Sequence, residues 1–174
     1  MSKLERIKLI GDVIALPLVA VAAIVGVTGY LTDLREQKRQ YTFAVVERYN
    51  ESALSEARVR LFEVLIETQG RYPSANLGAR DLGTVIAQRL TTDPVLATQM
   101  LPPLVRIADY FNAARDCMTA QLCAPELLEE LLGPDALSFA CVFEPSVKLL
   151  SARANVAGLM DGANALSKGR CHGN

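Results

Sequence analysis

Apolar residues fill positions 9–31 almost without a break (LIGDVIALPLVAVAAIVGVTGYL), and beyond them they recur at helical spacing instead. The first run carries one charge, Asp12, and Thr28 is its only other strongly polar side chain. At about 1.5 Å of rise per residue, a helix of this length crosses a hydrocarbon core of roughly 30 Å. The pattern therefore predicts a basic tail over 1–8, a transmembrane helix over 9–31, a helical soluble domain over 32–168 and a flexible tail over 169–174.

A cleavable signal peptide is the competing reading. Lys3, Arg6 and Lys8 suit either segment, and Ala20-Val21-Ala22 offers a small-x-small cleavage site. The apolar run continues through Ile24, Val25, Val27 and Tyr30, too far for a signal core, which favours an uncleaved anchor. Pro17 is tolerated in a spanning helix. Asp12 sits one turn from the basic end, where it reaches the interface, and the span offers it no ionisable partner. Gly11, Ala15, Ala22, Gly26 and Gly29 share one side of the helix, a stripe that lets two backbones approach in lipid. A homo-oligomer through this face is expected alongside the lipid bilayer itself.

From Tyr41 a helix is expected to about Asn50, with Phe43, Val46, Tyr49 and Asn50 on one side, and Asp33 is placed to cap it. The next helix starts after Ser52 or Ser55. Its Leu54, Ala57, Leu61, Val64 and Leu65 follow the i, i+3, i+4, i+7 rule, with Arg58, Arg60, Glu63 and Glu67 on the far side. The segment 70–78 is a loop by composition. A short helix over 81–90 follows, then a start signal at Asp93-Pro94 and a helix ending before Pro102-Pro103. Positions 104–118 give the clearest amphipathic helix, its stripe Leu104, Ile107, Ala108, Phe111 and Ala114. A turn over 119–123 leads to a helix from Pro125 with Leu127, Leu128, Leu131 and Leu132 inward, closed by Gly133. Pro134-Asp135 starts another, which Pro145 kinks or splits. A weak helix over 157–168 ends the domain. No run alternates like a strand, so the fold class is all-α: one transmembrane helix and a small bundle.

Charge narrows the partners. The net charge is −1 over 174 residues, and beyond position 31 it is −2, so neither nucleic acid nor an acidic membrane surface finds a basic field here. The four cysteines, Cys117, Cys123, Cys141 and Cys171, all follow the span. An even count in one domain suits two disulfides in an oxidising compartment, and the short turn favours Cys117 with Cys123, leaving Cys141 with Cys171. The alternative is four buried thiols in a reducing one. Basic residues lie on both sides of the span, Arg35, Lys38 and Arg39 beyond it, so the positive-inside rule discriminates weakly. The short basic tail and the cysteines favour an outward-facing domain.

Chemistry is scarce. His172 is the only histidine, which leaves no nucleophile–base pair outside the tail and no zinc set at usable spacing. Phosphate-binding glycine motifs are absent from the sequence. Asp116, Glu129 and Glu130 read as solvated faces, Tyr110-Phe111 as core, and Asn50-Glu51-Ser52 as a weak glycosylation sequon. No catalytic residue, cofactor or metal is expected, and the chain is read as not an enzyme.

The stretch LVRIADYFNAARDCMTAQLCAPELLEELLG, positions 104–133, resembles the uncharacterised bacterial proteins of domain-of-unknown-function family 4760. Tyr110-Phe111 matches the family's aromatic pair, and Leu122-Cys123 to Glu126 its turn. Asp109 and Asn112 stand where the family commonly has Asn and Glu, and Leu132 replaces the aromatic before Gly133. The resemblance implies a bacterial, membrane-anchored helical domain with no known activity. The expected role is interaction or scaffolding with a protein partner, on the periplasmic side of the inner membrane. The alternatives are a membrane-tethered sensor, which a cavity lined by polar groups would favour, and a cytoplasm-facing effector.

Overall fold

The computed structural model describes residues 3–72, 77–154 and 156–168, with side chains for 21–72, 77–153 and 156–168. The described residues form six helices: α1 (Lys3–Tyr49), α2 (Ser52–Gly70), α3 (Ala79–Thr92), α4 (Pro94–Thr119), α5 (Pro125–Ala154) and α6 (Asp161–Ser167). No strand occurs among the described residues. The all-α class stands.

The chain divides into two units, 1–38 and 39–174. In the first, the helix is unbroken at Asp33, so that residue caps nothing. Thr28 and Thr32 turn their hydroxyls back onto carbonyls of the preceding turn, at 2.8–3.0 Å. Val21, Ile24, Val25 and Val27 are exposed, and nothing within 4 Å of Gly26 or Gly29 would meet an added Cβ. Among the described residues no helix is long and apolar enough to cross a membrane. The side chains of positions 9–20 of the expected span, Gly11 and Ala15 included, lie outside the described residues.

The second unit is built around α4. Asp93 caps it, its carboxylate accepting from the Leu96 amide at 3.0 Å, with Pro94 in the first turn as expected. Pro102 and Pro103 do not end it; α4 passes through both. Prolines lose backbone bonds inside a helix, but here Pro103 is buried beside Met100 and Leu104, and that packing outweighs the loss. The same holds for α5. Gly133 is not a cap and Pro134 starts nothing, because Leu132, Gly133 and Ala136 are all buried and Gly133 lies against the Leu166 carbonyl of α6, 3.4 Å from an added Cβ. Pro145 does not split the helix either. The expected inward positions of α2 are buried or half-buried, as are Leu82, Val85, Ile86 and Leu90 of α3. Corrections of facing concern Phe43, Asn50 and Leu131, which are exposed; Val46 and Tyr49 of the expected α1 row do turn inward, joined by Thr42 and Val45.

The α4–α5 turn closes α4 with a left-handed residue, Gln121 at φ 56°. The amides of Gln121 and Leu122 donate to the carbonyls of Met118 and Cys117, at 2.9 and 3.0 Å, the paired bonds that stop a helix. Cys117 and Cys123 form a disulfide around that turn, their Cα atoms 5.4 Å apart. Cys141 is also disulfide-bonded, and its expected partner, Cys171, lies outside the described residues, as does the whole tail 169–174. Just after Cys123, the amide of Ala124 donates to the buried Thr42 hydroxyl at 2.8 Å, tying the start of α5 to α1.

Candidate interaction groove

An unbroken string of aromatic rings runs through the core. Tyr49 stacks on Tyr110 at 5.0 Å between centroids, Phe111 meets Phe139 at 5.6 Å, and Phe139 meets Phe143 at 5.5 Å. Tyr110 and Phe111 are core residues, as their pairing on the clearest helix suggests. Burial raises the pKa of Tyr110, and neighbouring Tyr49 and Asp135 add to this against the pull of Arg58. Burial also raises Tyr49.

Tyr49, Phe139 and Phe143 of this buried string line a groove. α2 packs on α3 and α4, whereas α5 packs on α3, α4 and α6, and the space left between α2 and α5 is a groove of about 450 Å³. Val59 and Phe62 from α2 and Phe139 and Phe143 from α5 form its apolar walls. Arg58 and Asp135 stand on opposite helices at its polar positions. The Arg58 guanidinium lies 4.2 Å from the centroid of the Tyr49 ring, a cation–π contact, and donates to the Asn50 side chain at 3.4 Å. Arg58 therefore belongs to the groove and not simply to the solvated face on which its spacing places it.

The adjoining face of α2 is unusual for a helix already packed on one side. Val59, Phe62 and Ile66 are 54%, 61% and 58% exposed. Ser55, Val59, Phe62, Ile66 and Gln69 alternate steps of four and three, the spacing of a helix–helix seam. That signal was present in the sequence, but the stronger stripe through Leu61 and Leu65 masks it.

The remaining site residues are not brought together. Ala22, Gly26 and Gly29 are exposed in the first unit. Asp116 pairs with Arg115 at 2.8 Å and Glu129 with Lys168 at 2.6 Å, on separate helices. Among the described residues no group of three histidine, cysteine or carboxylate side chains is placed to hold a metal ion. No protein-family model, curated protein or solved structure matches the chain.

Proposed function

We propose that this chain is a membrane-anchored helical interaction module that performs no catalysis. The observation that carries this reading is the exposed row Val59, Phe62, Ile66 beside an apolar groove, since contiguous apolar surface marks contact sites. The anchor rests on the apolar run 9–31 and its basic tail, in line with the resemblance of positions 104–133 to anchored bacterial proteins. The disulfide between Cys117 and Cys123 supports a periplasmic position for the domain, because such bonds persist in oxidising compartments.

The test uses the full chain in a bacterial host. It should sediment with the inner membrane and resist alkaline washing. Chemical cross-linking in intact cells should give discrete larger species that disappear on Phe62→Asp. A chain recovered in the soluble fraction overturns the anchor, and adducts indifferent to Phe62→Asp overturn the interaction face.

The sensor reading has one observation in its favour. A groove of about 450 Å³ with Arg58, Asp135 and Ser138 among its lining is in the size range of small-molecule sites. Binding of an amphiphile such as a fatty acid would then raise the melting temperature, and Phe139→Ala would remove that shift; no shift counts against it.

A further inference from the structure

The groove carries its own complement. Phe62 stands exposed on its rim, and the space beside it is walled by Phe139 and Phe143. The same surface thus offers a projecting aromatic and an aromatic-lined recess. A two-fold contact needs this arrangement, because one patch must serve on both subunits.

The charges follow the same rule. Arg58 and Asp135 both line the groove; the Tyr49 ring and Asn50 hold the Arg58 guanidinium, and among the described residues neither charge has an ion-pair partner. An acidic or a basic partner would satisfy one and repel the other. A second copy carries both signs, and a two-fold arrangement can set Arg58 of each against Asp135 of the other. The seam of four-and-three spacing on α2 gives the two helices a line along which to cross. At a net charge of −1 per chain, little repulsion opposes the pairing.

From these observations we infer that the α2–α5 groove is the interface of a symmetric dimer, with Phe62 of each copy seated between α2 and α5 of the other. The inference rests on the interaction-module reading and names its partner as the chain itself. It is separate from any pairing through Ala22, Gly26 and Gly29.

The experiment places the photoreactive analogue p-benzoylphenylalanine at position 62 of the full chain, with two differently tagged copies in the same cells. Irradiation should yield an adduct carrying both tags, its cross-link mapping to positions 139–143 of the second copy. Arg58→Glu and Asp135→Arg should each lower the yield about tenfold, and the two together should restore at least half of it. Circular dichroism of each variant checks that the bundle is folded, and Asp135→Asn, a change at an exposed position, should lower the yield about threefold. Gly26→Leu should leave the adduct unchanged. An adduct with a different protein, or a double reversal no better than the single changes, overturns the dimer and leaves the interaction module standing. No protein adduct at all overturns both.

Discussion

The Tyr110 hydroxyl on α4 donates to the Val45 carbonyl oxygen on α1 at 2.9 Å, across 65 positions of sequence. It is a hydrogen bond from a buried side chain to a carbonyl inside a helix, so it fastens α1 to the centre of the bundle. Tyr110→Phe keeps the ring and loses the bond, at a cost of roughly 1 kcal/mol near neutral pH.

The same residue sets an alkaline limit. Its folded pKa is raised above the ordinary tyrosine value of 10.0, chiefly by burial. The stability it contributes is therefore complete below about pH 10 and is lost as the pH rises toward the folded value, because the unfolded chain releases the proton first. Denaturant melts should show stability falling above pH 10, with a shallower fall in Tyr110→Phe. Equal slopes in the two proteins would refute this linkage.

Two glycines mark places where backbones touch. A Cβ on Gly83 would collide with the Val142 carbonyl of α5, and one on Gly162 with the backbone at Phe111 and Asn112 of α4. Gly→Ala inside a helix ordinarily stabilises by about 0.5–1 kcal/mol. At these two positions the sign should reverse, with a loss of roughly 3 kcal/mol for each, since the obstruction is main chain and cannot rotate aside. Thermal melts decide it, and an unchanged or higher midpoint would count against the close approach.

Asn112 should act as the latch of α6. Its Oδ1 accepts from the Gly162 amide at 2.7 Å, and its Nδ2 donates to the carbonyls of Gly158 and Leu159 at 3.2 and 3.4 Å. Asn112→Leu leaves those groups unpaired and should cost about 2–3 kcal/mol. Limited proteolysis should then cut first between α5 and α6; an unaltered cleavage pattern would show that α6 is held by its apolar contacts alone.

Gly26 gives the contrasting case. Nothing lies within 4 Å of an added Cβ there, so a larger side chain meets no obstacle in its own chain. Gly26→Leu should leave the melting of the bundle unchanged; on the proposed anchor reading it should weaken pairing through this segment, read as energy transfer between labelled chains in lipid vesicles. Unchanged transfer would remove the small-residue stripe as a contact.

Much of the fold was legible where local chemistry and burial agree. Asp93-Pro94 announces α4, and Leu104, Ile107, Ala108, Phe111 and Ala114 form its buried stripe. The readings that failed gave proline and glycine their local meaning. Pro102, Pro103, Gly133 and Pro134 break isolated helices, but here Pro103 and Gly133 are buried, and the packing of the residues around each pair carries the helix through the exposed Pro102 and Pro134. The groove was harder to see. Arg58 and Asp135 are remote in sequence, and only the packing of α2 and α5 on common neighbours brings them to one surface. The row Val59, Phe62, Ile66 was visible as residues, but its exposure depends on which of two competing faces the core selects.

The disulfide at the α4–α5 turn bears on the order in which the molecule is assembled. Its cysteines are six positions apart, so their encounter requires no prior tertiary structure. Closing so short a loop costs little chain entropy. The bridge can therefore form as the chain emerges, before the distant contacts of α5 with α3 and α6. From then on α4 and α5 search for their partners as a hinged pair. Oxidation at this turn and the long-range packing of α5 are thus separable events, and the bridge asks nothing of the rest of the fold.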